Sequence, residues 1–177
     1  MTAETGAGND LAIRPLGSEE RDAALAVINT AAQWYREFLQ DAAFHDPEMT
    51  PELWDAEAQR MVWFGAFASG TLVGVMGLEY VRDVALLRHA YVLPDRQRQG
   101  IGTRLRAYLE TQVQGVPRIL VGTYAANYKA RRMLEDAGYR LVADSAATLR
   151  EYYSIPEDRL QTSVVYEKQR GAPDLIL

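Results

Sequence analysis

Apolar positions along the chain switch between two periods, and the switches outline its elements. Residues 11–16, Leu-Ala-Ile-Arg-Pro-Leu, predict a strand, and Pro15 places it near a sheet edge because it has no N–H for a ladder. Ser18-Glu19-Glu20 predicts a helix start. Leu25, Ile28, Ala32, Tyr35 and Leu39 then recur at spacings of three and four, extending that helix to about Gln40. Asp46-Pro47-Glu48 breaks it, and Thr50-Pro51-Glu52 opens a shorter helix that runs to about Arg60. From Met61 the pattern is that of strands. Residues 62–67 and 72–80 are joined by Ser69-Gly70, and 84–93 follows the Arg82-Asp83 turn until Pro94 stops it. Ile101, Leu105, Tyr108 and Leu109 restore a helical stripe that ends near Gly115. A strand at 119–121 is followed by a stripe of Ala130, Met133, Leu134 and Ala137, with Gly138 as its left-handed C-terminal cap. Strands at 139–142 and 162–166 close the pattern, while 145–158 show no clear period.

This order is strand, two helices, a three-strand meander, helix, strand, helix, strand, strand. It predicts a mixed sheet with helices packed on its faces. One domain over 11–170 is expected, after a flexible start at 1–10. A chain of 177 residues with 48% hydrophobic content can bury such a core without staples. The absence of cysteine excludes disulfides, thiolate metal sites and a cysteine nucleophile. His45 and His89 are the only histidines, so no metal site is expected. The polar start has no leader-like apolar core, and no apolar run reaches the length of a membrane span. A cytoplasmic protein without a membrane partner is therefore expected.

Charge sharpens this picture. The net charge of −5 argues against a nucleic-acid partner, and it is concentrated. Residues 31–60 hold seven acids (Glu37, Asp41, Asp46, Glu48, Glu52, Asp55, Glu57) against Arg36 and Arg60, which equals the whole excess. Conversely, 88–106 holds Arg88, Arg96, Arg98, Arg104 and Arg106 against Asp95 alone. That cationic stretch contains Tyr91-Val92-Leu93-Pro94-Asp95-Arg96-Gln97-Arg98-Gln99-Gly100-Ile101-Gly102-Thr103, in which a strand ends and a helix begins at two glycines. Glycine lets backbone approach a ligand, and free N–H groups at a helix start favour phosphate oxygens. It is neither a Walker loop nor the three-glycine dinucleotide pattern.

Gln97-Arg98-Gln99-Gly100-Ile101-Gly102 resembles the acyl-CoA motif of the GNAT acetyltransferases. Asn127-Tyr128-Lys129-Ala130 and Glu135-Asp136-Ala137-Gly138-Tyr139 resemble that family's second cofactor motif. The similarity implies an α/β (α+β mixed) fold, a central mixed, mostly antiparallel sheet flanked by helices. It also implies acetyl-CoA as cosubstrate, with transfer of acetyl to a primary amine, most simply that of a small molecule. Tyr91, Val92, Leu93, Gln97, Arg98, Gln99, Gly100, Ile101, Gly102, Thr103 and Asn127 are the cofactor-binding residues it implies. The backbone amides of residues 91–93 would hold the pantetheine and polarise the thioester carbonyl. An idle acyl-CoA-binding module and a protein N-terminal or lysine acetyltransferase remain alternatives, and a homodimer is left open.

Two residues are candidates for the general base that takes the amine's proton. His89 lies beside Arg88 in an apolar strand, and is either that base or a core histidine. Glu79 is either a base or a solvated residue near the turn. Leu134 stands where the family commonly has a tyrosine that protonates the leaving thiolate, so that acid is missing, and Tyr124, Tyr128, Tyr152 and Tyr153 are the substitutes at hand. Trp34, Tyr35, Phe38, Phe44, His45 and Trp54 form an aromatic set within the acidic segment, either walls for a cationic amine or packing on the sheet.

Overall fold

The meander predicted from Met61 onward lies at the centre of the molecule. The computed structural model describes residues 10–171, so the expected flexible start lies outside the described residues apart from Asp10. β1 (Leu11–Pro15), β2 (Met61–Ala68), β3 (Thr71–Val81) and β4 (Val84–Val92) pair antiparallel in succession. Ser69 (φ 49°) and Gly70 (φ 80°) both take the left-handed conformation, the combination that matches a two-residue turn to the strand twist. β5 (Arg118–Tyr124), β7 (Ser163–Gln169) and β6 (Arg140–Leu141) complete a seven-stranded sheet of order β1-β2-β3-β4-β5-β7-β6. β4 and β5 are its one parallel pair among the described residues, so the sheet is mixed and mostly antiparallel as expected.

The chain reaches β5 from β4 through α3 (Ile101–Gln112), and α4 (Tyr128–Asp136) follows β5. Both helices cover one face: Ile101, Leu105, Leu109 and Leu134 pack on Met76, Leu78, Ala85 and Leu87. Alternation along the strands turns the intervening residues to the other face. There α1 (Arg21–Ala32) and α2 (Pro51–Ala58) lie over Trp63, Val75 and Tyr91, with Trp54 stacked on Trp63 at 3.9 Å. Toward the other end of this face, Leu149 and Leu160 pack with Val84, Leu86 and Val165.

Several boundaries depart from the sequence reading, each for a tertiary reason. The first helix stops at Ala32 and tightens into a 3-10 turn, Gln33–Glu37, which sets Tyr35 against Tyr91 and Tyr124 at ring distances of 6.0 and 4.9 Å. Its start is held by the Glu20 carboxylate accepting from the Gly17 N–H at 2.8 Å rather than by Ser18. Thr50 caps α2 as expected, accepting from the Leu53 N–H. β6 is only two residues long because Tyr139 turns into the core and donates its hydroxyl proton to Glu110. The stretch without clear period forms α5 (Ser145–Tyr152), capped by Asp144, and α6 (Glu157–Thr162), which begins after Pro156.

Candidate active site

Parallel pairing of β4 with β5 lasts only from Val84 opposite Arg118 to Leu87 opposite Val121. Beyond it the strands part, and the cause lies on β4. Gly77 of β3 faces Arg88 while Val75 faces Tyr91, so Met76 alone opposes His89 and Ala90. His89 takes φ 55°, and this one-residue bulge bends β4 away from its parallel neighbour. The gap so opened holds a cavity with two adjoining arms.

The first arm, about 360 Å³, is lined by Tyr91, Val92, Arg98, Gly100, Gly102, Thr103 and Asn127 among others. Leu93 donates its N–H to Val73 of β3 at 2.9 Å, so alternation turns the Val92 N–H and C=O toward the gap. The Gln97 side chain donates to that Val92 carbonyl at 3.1 Å, tying the loop to the strand end. At the start of α3 no side chain caps the helix, and its first N–H groups have no intrahelical acceptor. Gly100 turns the chain into this helix at φ 74°, with open space where a Cβ would stand. Arg96, Arg98 and Lys129 line the arm and add positive charge. Free N–H groups, an unfilled glycine position and cations together suit a pyrophosphate, and the Val92 amide suits an amide-bearing arm running into the gap. Asn127 uses Oδ1 to cap α4 at Ala130 and lines both arms of the cavity. Lys129 stands 4.8 Å over the Trp34 ring, so the start of α4 and the turn after α1 meet beside the arm.

The second arm, about 170 Å³, reaches the apex of the gap and includes Arg88, His89, Gly122, Tyr124, Leu134, Tyr153 and Arg159 in its wall. Behind it lies a buried ionic cluster. Arg88 donates to Glu79 at 2.7 Å and to Glu57 at 3.4 Å, and Arg60 pairs with Glu79 at 3.2 Å. His89 Nε2 stands 2.5 Å from Glu57 Oε2, at an angle outside hydrogen-bonding geometry. Burial holds the His89 imidazole below its usual pKa, against the opposing pull of Glu57, so the ring is neutral at neutral pH. Burial acts to raise the Glu57 carboxyl, but His89, Arg88 and Arg60 outweigh it and hold it below the usual range. His89 Nδ1 makes no protein hydrogen bond among the described residues, and its ring borders the cavity.

α6 closes this arm on the outside. Arg159 donates to Glu48 at 2.7 Å, Tyr91 donates its hydroxyl proton to the same oxygen at 3.1 Å, and His45 meets Asp158 at 2.8 Å. Tyr35 bridges the parted strands, edge-on to Tyr124 of β5 and tilted against Tyr91 of β4. Part of the aromatic set named from sequence is thus the roof of the gap, while Trp54 packs on the sheet.

The structure gathers most of the implied cofactor residues around the first arm. Leu93 packs into the core with its amide committed to β3, so the amides of residues 91–93 do not act together as the resemblance implied. Gln99 is exposed and lies off the cavity wall. Of the two base candidates, His89 borders the cavity, whereas Glu79 is buried behind it with both oxygens engaged by arginines. Leu134 packs in the core at 2% exposure and also touches the cavity. Among the tyrosines, Tyr128 is 74% exposed and Tyr152 is engaged with Asp83 and Arg118. Tyr124 and Tyr153 border the cavity, and neither hydroxyl has a partner among the described residues. Glu48, Glu57 and Arg159 were not singled out as site residues from sequence; an acid in an acidic run and one arginine in a stretch without period carry no local signal.

Comparison with known proteins accounts for this arrangement. The model of the acetyltransferase (GNAT) family matches residues 28–139. The PaiA N-acetyltransferase from Thermoplasma acidophilum, solved in complex with coenzyme A, superposes with a TM-score of 0.71 at 17% identity, over 91% of this chain and 99% of that one. The ribosomal-protein-S18-alanine N-acetyltransferase from Escherichia coli gives a TM-score of 0.68 at 19% identity, over 94% and 98%. An acetyltransferase from Thermus thermophilus gives 0.67 at 19%, over 90% and 97%. Comparison of the sequence with curated proteins gives no match. No described helix is long and apolar enough to cross a membrane. The chain belongs to the GNAT acetyltransferase family and is an acetyl-CoA-dependent N-acetyltransferase.

Proposed function

We propose that this enzyme acetylates the primary amine of a small molecule in the cytoplasm, with His89 as general base. The observation that supports a small acceptor is the clasp of α6 onto the segment before α2. Glu48–Arg159 and His45–Asp158 join parts of the chain more than a hundred residues apart, over an acceptor arm of about 170 Å³. A polypeptide acceptor needs an open groove at this place.

When bound, acetyl-CoA supplies an activated acetyl thioester; the N–H groups opening α3 would hold its pyrophosphate and the Val92 N–H its amide-bearing arm. The acceptor nitrogen forms a bond to the acetyl carbon as the carbon–sulfur bond breaks. His89 takes the nitrogen's proton at Nδ1, directly or through one water, while Glu57 holds the other side of the ring. Leu134 donates no proton, and a thiol's ordinary pKa of about 8.5 makes the thiolate a tolerable leaving group near neutral pH.

The test is CoA release from acetyl-CoA over a panel of small amines, amino acids and peptides. Turnover with at least one small amine is expected. Acetylation of peptide N-termini or lysines with none of small amines would overturn the reading.

A further inference from the structure

The ion pairs around the acceptor arm present one sign inward. Its charged wall residues are Arg88, Arg106 and Arg159, and no aspartate or glutamate lines it among the described residues. The carboxylate partners stand behind: Glu79 and Glu57 for Arg88, Glu110 for Arg106, Glu48 for Arg159. Arg159 uses Nη1 on Glu48, and its other nitrogens find no protein acceptor yet are not sealed from solvent. Tyr124 is 7% exposed with its hydroxyl unpartnered, and the Arg159 guanidinium lies 6.0 Å from its ring. Burial raises the Tyr124 phenol to about 12, against the pull of Arg159, so it is a neutral donor at working pH. Tyr153, laid over Gly122, adds a second buried hydroxyl without a partner.

Among the charged side chains and unpartnered phenols of this wall donors therefore prevail, and buried donors left unsatisfied are costly. A ligand that completes the site must bring oxygens to them, while its nitrogen meets the imidazole. We propose that the acceptor is a small primary amine that also carries a carboxylate, received by Arg159 and the Tyr124 hydroxyl while the amine faces His89. This rests on the transferase reading above and narrows its substrate class. Tyr35 and Ile155 also line the arm and supply apolar surface for a carbon frame.

The experiment compares kcat/KM for matched amines with and without a carboxylate: butylamine against 2- and 4-aminobutyrate, and phenethylamine against phenylalanine. Each value is corrected for its fraction of unprotonated amine. The carboxylated member of at least one pair should lead by about tenfold or more, the scale of one hydrogen bond to a charged group. Tyr124→Phe and Arg159→Lys should each shrink that ratio. Arg159→Lys keeps a cation beside Glu48, and Tyr124→Phe serves alone if the lysine variant does not fold. Ratios near one, or favouring the plain amine in every pair, overturn the inference and leave the transferase reading intact. A large ratio unchanged in both variants overturns the residue assignment. Acetylation of peptides but of none of these amines removes the small-amine reading and the inference together.

Discussion

His89 of the β4 bulge and Glu57 of α2 face each other at 2.5 Å between Nε2 and Oε2, joining the strand that opens the gap to a helix on the face opposite α3 and α4. This contact sets a carboxylate against one edge of the ring and works against burial on its basicity. Glu57 pulls the His89 pKa upward, while burial holds the net value below the ordinary 6.5. The acidic limb of kcat/KM against pH should therefore lie below about 6.5 in the wild type. His89→Gln should lower kcat by about a hundredfold or more, the usual scale of a general base. Glu57→Gln should move the acidic limb to lower pH, because the upward pull is gone. A limb that stays in place in Glu57→Gln, or full activity in His89→Gln, would show that the pair is structural.

The same burial couples His89 to stability. Its folded pKa is depressed, so its contribution is present above the unfolded value of about 6.5 and is lost as pH falls from there through the folded pKa. Glu57 is also depressed, and its contribution disappears only below the ordinary carboxylate value of 4.5. Melting temperature should decline in two stages on acidification. His89→Gln should flatten the first stage and spare the second, as read by calorimetry from pH 8 to about pH 3.

Arg88 stands between two buried carboxylates with its own side chain 7% exposed. Arg88→Met leaves Glu57 and Glu79 with less compensation and should cost about 3–5 kcal/mol. Denaturant titration measures this loss. Arg88→Lys should recover only part of it, because an ammonium does not reproduce the forked contact.

Gly102 tests the cofactor arm without backbone strain. A Cβ there would lie 3.7 Å from Val92, an ordinary contact, whereas Gly100 sits at φ 74°. Gly102→Val should fold and yet lose the melting shift that acetyl-CoA gives the wild type, since its side chain would occupy the arm. At a hundred times the dissociation constant, binding stabilises the wild type by about 2.7 kcal/mol. An undiminished shift in a folded Gly102→Val protein would move the cofactor elsewhere.

Leu134→Tyr asks whether restoring a phenol at that helix position speeds the reaction. The leucine, on α4, is 2% exposed and packed with α3 and sheet residues, so added volume should cost about 1–3 kcal/mol. No gain in kcat is expected, because the surrounding site is built around leucine. A rise of tenfold or more would identify leaving-group protonation as the limiting step.

Local chemistry decided what could be read directly along the chain. The glycine turn into α3, the Thr50 cap, the Ser69-Gly70 hairpin and the strand-helix order each depend on neighbours within about four residues, so period and residue type reveal them. The bulge at His89, the end of β4–β5 pairing after Leu87 and the turn of Tyr35 into the gap depend on partners far along the chain. Glu48 and Arg159 are 111 residues apart, and nothing beside either residue announces the other. Sequence thus determined a pyrophosphate-binding sheet domain with a histidine near its centre. Only the tertiary structure decided that Glu57 would face that histidine, that Glu79 would be tied to Arg88, and that arginines would line the second arm with their acids behind. Those choices arise from burial, where each charge must find a partner across the fold because water is no longer there to solvate it.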